Sequence, residues 1–589
     1  MLAKFVDETH WRRWFLAIWI GIACWMLWQR WAAIGWFALP DTDDNMRMMQ
    51  VRGLLNGQGW YDLRQYRLDP PGGANIHWSR LVDLPIAGLI LIGRLFVSGP
   101  IAEKFAVAVA PLLALGGGLY ALMLAARRLA GPWAFLMAAA ILVCANTPLA
   151  MWMPLRIDHH GWQLAFLMLM VAGIADPKRT RGGATAGIAT AASLAIGLEL
   201  MPYMALGGGL LMLWWALEGE EAPRLKAYAA TLAAGSALGY LLFVSNDNRL
   251  PVCDALSPVW LSATLAAGAA AYGVASIGIE RRSIRIVALL AVGVVLAGGF
   301  ALAWPDCLGA PERLPPELKQ SWFNNVREAK PIYRHGWRVA VPTAALPIIG
   351  ALGAIVSAWI ARASDRLMPW AAVAILSIAA TALLFWQTRA GPAAQFLAVP
   401  GATALTLLAF RRASASRHML VRVTVPVAAY LVCSSLVVWW VVSAIPTEKV
   451  SKVRKLVNRA NRRCPTLPAL RPIAMLPRAT IMTFIDLSPR LIVATHHNAI
   501  AGPYHRNAQA ILDVQHTFRA TDPEEARGII RRHGAGLVLI CPGMSESTLY
   551  AARARDGFYM QLMRGKVPGW LQPVPLPEKS PFRLWRVLR

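Results

Sequence analysis

DTDDNMRMMQVRGLLNGQGWYDLRQYRLDPPGGANIHWSR, residues 41–80, is the stretch on which the reading of this chain turns. It opens on three carboxylates, Asp41, Asp43 and Asp44, and closes on His77, Trp78 and Arg80, between flanks that are overwhelmingly apolar. Carboxylates gathered at the mouth of an apolar segment are costly unless a cation or a polar substrate meets them. The stretch therefore marks the outer end of a membrane span and a place where chemistry is done.

Composition agrees with that class. The chain has 589 residues, 57% of them hydrophobic and only 15% charged, with a mean hydropathy of +0.45. A soluble chain of this length would divide into domains with charged surfaces, so repeated spans fit better. The net charge of +27 does not indicate nucleic acid, because the Arg and Lys clusters sit in short loops between apolar runs and no basic-aromatic module accompanies them.

Alternating the sides of those basic loops sets the topology. Lys4, Arg12 and Arg13 precede the first span, 14–39, which places the N-terminus inside and the acidic stretch outside. Residues 84–97 are too short to cross and form an outer-face helix. Further spans are expected at 102–126, 133–151, 161–175, 184–201, 203–217, 227–244, 258–279, 286–304, 339–360, 369–387, 393–410 and 420–442, about thirteen in all. Residues 1–444 thus form an all-α membrane domain with outer loops 40–101 and 305–337. An odd number of crossings puts 445–589 in the periplasm of a bacterial inner membrane. That portion is expected to be α/β, with strands at 479–485, 491–494 and 537–540 and a helix opened by Asp522-Pro523. Cys253 and Cys307 share the outer face, as do Cys464 and Cys541. An oxidising exterior permits both pairs as disulfides, with free buried thiols the alternative.

Three acidic sites reach one membrane face: Asp41-Thr-Asp43-Asp44, then Arg156-Ile-Asp158-His159-His160, then Glu328 in WFNNVREAKP. Carboxylate oxygens with an imidazole suit Mg²⁺ or Mn²⁺, and such a cation would stabilise a phosphate leaving group. The plainer reading pairs these carboxylates with Arg47, Arg52 and Arg156. Arg389, at the outer end of a span, is a cation poised for phosphate or a snorkelling arginine. Glu199, near the interface, is a functional candidate or a cap on Arg156. His497, Tyr504, His505 and Arg506 offer hydrogen-bonding groups to an acceptor or glycan, or pack within a loop.

Together these motifs resemble the catalytic subunit of oligosaccharyltransferase. D-T-D-D-N-M-R at 41–47 resembles that family's first-loop Asp motif followed by an arginine. R-I-D-H-H at 156–160 is similar to the Asp-His-His motif of its archaeal members, and V-R-E-A-K-P at 326–331 to its Ser-Val-Ser-Glu motif. Arg389, followed by FLAVPGATAL, resembles the arginine that meets the donor phosphate. The resemblance implies a GT-C fold and an inverting glycosyltransferase that uses a polyprenyl-phosphate or -pyrophosphate donor. Asp41, Asp158 and His160 would hold the metal, Asp41, Asp43 and Glu328 would serve catalysis, and Arg389 would bind the donor phosphate. Asp44, Arg47, His77, Arg156, His159, Glu199, His497, Tyr504, His505 and Arg506 would line the substrate site. The family's Trp-Trp-Asp motif, which recognises a sequon, is absent; IDLSPR with Asp486 stands nearest its place. A glycan, lipid or protein acceptor is therefore open. A single-sugar transferase acting on lipid A or envelope polysaccharide, and a lipid-linked glycan transporter, are the alternatives. Transporters usually put polar groups near the midplane between repeated halves, whereas here they gather at one face.

Overall fold

The computed structural model describes residues 10–310, 312–446 and 450–588; Lys4 of the N-terminal basic set lies outside them. Each expected apolar segment overlaps helix, but not one for one: 133–151 is broken into Ala134–Cys144 and Asn146–Ala150, and the helix within 184–201 ends at Ile196. Among the described residues, six helices are long and apolar enough to cross a membrane: His10–Gly35, Gly99–Ala130, Pro258–Ser276, Arg282–Ala303, Trp337–Ile360 and the one ending at Ser414. Met419–Cys433 and Leu436–Ala444 form a further span if taken as one, bent by 73° where Ser435 adopts left-handed backbone (φ 58). Four apolar helices are shorter: Ala134–Cys144, His160–Ile174, Met201–Leu217 and Leu367–Leu383. Apolar side chains stand exposed on the outer helices, Val294, Val295 and Leu302 among them. That is the surface a lipid-facing helix presents, because lipid tails are as apolar as the side chains that meet them.

Helix packing uses small residues. A Cβ at Gly353 would meet Gly401 O at 2.2 Å, and one at Gly401 would meet Gly350 O at 2.0 Å. Trp337–Ile360 and Gly391–Ser414 therefore touch backbone to backbone. At the end remote from the acidic stretch, short loops are knitted by ion pairs such as Arg128–Asp176 at 2.7 Å and Arg179–Glu221 at 2.8 Å.

The C-terminal portion carries a five-stranded sheet. Its strands are β1 (Thr480–Met482), β2 (Asn498–Ala499), β3 (Ala535–Ile540), β4 (Leu571–Pro573) and β5 (Arg583–Val587), in the order β2-β1-β3-β5-β4. β1 runs parallel to β2 and β3, and β5 antiparallel to β3 and β4. Asp522 caps the helix Pro523–Arg532 by accepting from Glu524 N–H, as its Asp-Pro start implied. One strand expectation is wrong: 491–494 belongs to the helix Ser488–Ala494. Four apolar residues do not distinguish a strand from a buried helix turn, and Pro489 at the helix start tips the choice.

Both cysteine pairs are disulfides, Cys253–Cys307 with Cα atoms 5.3 Å apart and Cys464–Cys541 with 6.5 Å. The helix Thr42–Leu55 is not a loop on the surface. Met46, Met48 and Val51 join Ile481, Phe484 and Ile492 in one hydrophobic core, so the acidic stretch is clamped between the membrane helices and the sheet.

Candidate active site

Asp41 stands at the N-cap of the helix Thr42–Leu55, with Asp43 and Asp44 in its first turn, where the helix dipole tolerates negative charge. Each carboxylate has a different fate. Asp44 is fully buried and accepts from Ile157 N–H at 2.8 Å and Asp158 N–H at 3.1 Å. It thereby clasps the second acidic motif to the first. Asp41 Oδ2 accepts from Arg156 Nη1 at 2.7 Å, and Arg156 also pairs with Asp44 at 3.2 Å and with Asp158. Asp43 is half-buried, and among the described residues no hydrogen bond or ion pair reaches its carboxylate. Burial, with Asp41, Asp158 and Glu328 close by, pushes the Asp43 carboxyl well above its ordinary value. Burial would also raise Asp158, but the Arg156 guanidinium above all, with the His160 backbone N–H, outweighs it and holds that carboxyl below its usual range.

Of the three arginines weighed as partners, Arg156 alone serves the acidic turn. Arg47 pairs with Asp83 at 2.8 Å, both fully buried, and lies 4.6 Å over the Trp78 ring. Arg52 pairs with Glu103 at 2.7 Å and donates to Val493 O at 2.8 Å, tying the helix to the outer domain. Glu199 does not cap Arg156. It accepts from Gln163 Nε2 at 2.8 Å and pairs with His159 Nε2 at 2.9 Å. The Arg47 guanidinium, which can only donate, faces His159 Nδ1 at 3.5 Å. Nδ1 is then the acceptor and Nε2–H the donor to Glu199. Burial holds the His159 imidazole below its ordinary value, so it stays neutral in this arrangement.

Glu328 and Arg389 arrive together. Thr388 N–H donates to Lys330 O at 2.9 Å and Arg389 N–H to Glu328 O at 3.0 Å, zipping the late outer loop to the start of the Gly391–Ser414 helix. The Arg389 side chain pairs with Glu312 at 3.3 Å and with Gln387.

The outer domain supplies the rest. Tyr504 O–H donates to Thr42 O at 3.0 Å, its ring edge-on to Trp78. Burial and the Asp43 and Asp41 charges push its phenol well above the usual value, so it remains a donor. Burial and the Asp41 charge push the Asp486 carboxyl up to about 6. His497 is not at the site. It is fully buried, with Ala479 N–H on Nδ1 and Ile473 O on Nε2, and it packs the sheet.

A second polar node was only half visible in sequence. His505 Nε2 lies 2.5 Å from Asp254, and Arg506 grips the same carboxylate at 2.6 and 2.7 Å. Arg506 also reaches Asn75 and Asn248, and the His77 and His505 rings are 4.7 Å apart. Among the described residues, His77, Asp254 and His505 bring their ligand-type atoms within 4.8 Å of one another; Asp41, Asp158 and His160 do not form so tight a group, Arg156 standing between the two carboxylates. Burial, with His505 and Arg506 beside it, holds the His77 imidazole well below its ordinary value. Asp254 was missed because a lone aspartate carries no local signal; its neighbour Cys253, which fastens the loop, was the available clue.

No protein-family model and no curated protein matches the chain. Solved structures do. The archaeal oligosaccharyltransferase AglB from Archaeoglobus fulgidus, in complex with an inhibitory peptide and a dolichol-phosphate, matches with a TM-score of 0.69. The match covers 96% of this chain and 73% of that one at 14% identity. An Archaeoglobus fulgidus oligosaccharyltransferase tethered with an acceptor peptide containing the NVT sequon gives 0.66, with 97% and 73% covered at 14% identity. A complex of such an enzyme with Zn and sulfate gives 0.59, with 91% and 68% covered at 15% identity. The chain has the oligosaccharyltransferase-like GT-C fold.

Proposed function

We propose that the chain is an inverting glycosyltransferase of the bacterial inner membrane, moving a sugar or oligosaccharide from a polyprenyl-phosphate or -pyrophosphate carrier to a periplasmic acceptor. The observation that carries this reading is the meeting of Asp41, Asp43, Asp44 and Asp158 with Glu328, from three outer loops, at one end of the helices. A thirteen-span topology with the N-terminus inside and the sheet domain outside accords with it. Archaeal proteins of this fold are described with a dolichol-phosphate and with an acceptor peptide, which favours a lipid-phosphate donor here.

The donor types suit Mn²⁺ or Mg²⁺: hard carboxylate oxygens, one imidazole, and in Asp43 a carboxyl crowded by other carboxylates that no cation meets among the described residues. Asp41, Asp158 and His160 would hold the ion, and when bound it would stabilise the charge developing on the departing phosphate. Arg156 occupies Asp41 Oδ2 and Asp158 Oδ2, so it must yield those atoms. Asp43, whose carboxylate no hydrogen bond or ion pair reaches among the described residues, is suited to take a proton from an acceptor, and Glu328 to orient that acceptor. Arg389 meets the lipid phosphate once freed from Glu312. His77 offers an imidazole to sugar or phosphate, and Tyr504, its hydroxyl hydrogen given to Thr42 O, offers its oxygen as an acceptor. Attack opposite the phosphate inverts the anomeric carbon.

The missing Trp-Trp-Asp motif keeps a lipid A or polysaccharide acceptor as the second reading. Mass spectrometry of envelope glycoproteins and glycolipids separates the two. A deletion strain should lose one glycoform that the wild-type gene restores and Asp158→Asn does not. An unchanged glycoprotein and glycolipid profile would count against any transferase role.

A further inference from the structure

The helix Lys452–Arg463, KVRKLVNRANRR, carries six Lys or Arg and no acidic residue. Among the described residues, the side chains of Lys452, Arg454, Lys455, Arg459 and Arg462 have no acidic partner. Five unpaired cations on three turns repel one another unless something negative lies against them. The apolar stripe of the same helix is only half covered. At its C-terminal half Ala460 packs on the outer-domain core, Asn461 accepts from Ser545 N–H at 2.9 Å, and Cys464 is locked to Cys541. At its N-terminal half Val453 and Leu456 stand 67% and 62% exposed. A recess of about 510 Å³ runs along Val450, Lys455, Asn458, Arg459, Arg462 and Arg463.

Position says what covers this half. The last apolar helix, Leu436–Ala444, exposes Trp439 and Trp440, the residues that settle at a membrane–water interface. Residues 445–451 separate its end from the basic helix, a tether of at most about 25 Å. Cationic side chains beside an open apolar stripe, held that close to an interface, match an in-plane helix attracted by anionic lipid.

We propose that Lys452–Arg463 docks on the anionic phospholipid surface of the outer leaflet, inserting Val453 and Leu456 among the acyl chains and fixing the outer domain over the membrane. The proposal rests on the membrane reading alone and not on the transferase chemistry, so its test reads depth rather than activity. In the full-length protein, with Cys24, Cys144 and Cys433 replaced by Ser, Val453→Cys carries a fluorophore and the protein sits in nanodiscs containing brominated lipid. Strong quenching is expected with phosphatidylglycerol. It should be largely lost with phosphatidylcholine, at high salt, or when Arg454, Lys455, Arg459 and Arg462 are all changed to Gln. An intact Cys464–Cys541 bridge on a non-reducing gel verifies that the variant's outer domain has folded. Weak quenching in phosphatidylglycerol would overturn the proposal and leave the helix as a surface for an acidic protein. Quenching indifferent to lipid charge would overturn it too, since apolar contact alone would then hold the helix.

Discussion

Arg156 is where structural and catalytic demands meet. Its guanidinium bridges Asp41, Asp44 and Asp158, and a divalent ion on the same oxygens competes with it directly. Arg156→Gln should therefore tighten Mn²⁺ binding by at least about tenfold, ~1.4 kcal/mol, whereas Asp41→Asn and Asp158→Asn should abolish it. Electron paramagnetic resonance titration of the purified protein reads all three, and unchanged affinity in the aspartate variants would remove the metal from this site. Asp486 makes a separate prediction. Its carboxyl is pushed up to about 6 from 3.8, so between those values the folded protein holds a proton that the unfolded chain releases. Stability is then present at low pH and lost as pH rises from about 4 to about 6. Asp486→Asn should flatten that slope in thermal melts. Motif order let the sequence group Asp41 and Asp158, which the structure joins through Arg156. Asp254 was not, because its partners His505 and Arg506 lie far along the chain and only tertiary folding brings them together.

Elements were read best where one variable decides them. Apolar runs of helix length located the membrane helices, since hydrocarbon forces backbone polar groups to pair within the segment. The run 491–494 failed because four apolar residues satisfy a strand and a helix turn alike. Burial of the Thr42–Leu55 helix could not be read either, for its polar face meets partners from three regions. Close helix packing gives a clean test. Gly401→Leu should destabilise the protein by roughly 1–3 kcal/mol, because its Cβ would meet Gly350 O at 2.0 Å, and should impair activity by shifting the helix that starts beside Arg389. Gly209→Ala, with nothing within 4 Å of the added Cβ, should be neutral or mildly stabilising. Detergent-solubilised thermal melts compare them, and equal effects would contradict the backbone contact.

At the scale of the molecule, the acidic turn lies where membrane helices, the late outer loop and the sheet domain meet, and each contributes residues. In the proposed orientation, with the basic loops inside, alkaline phosphatase fused after Arg589 should be active in intact cells; a well-expressed but inactive fusion would overturn it. In the proposed reaction this cluster cleaves a sugar from a lipid phosphate. Purified protein should be given a radiolabelled glycan on polyprenyl pyrophosphate with envelope acceptor, and label leaving the lipid counted with Mn²⁺ and with excess chelator. Release and transfer are expected from the wild type with Mn²⁺, with a fall of roughly 10²-fold or more in Asp158→Asn and the same fall under chelation. Label that stays on the lipid with every acceptor fraction, or wild-type rates from Asp158→Asn, would contradict it.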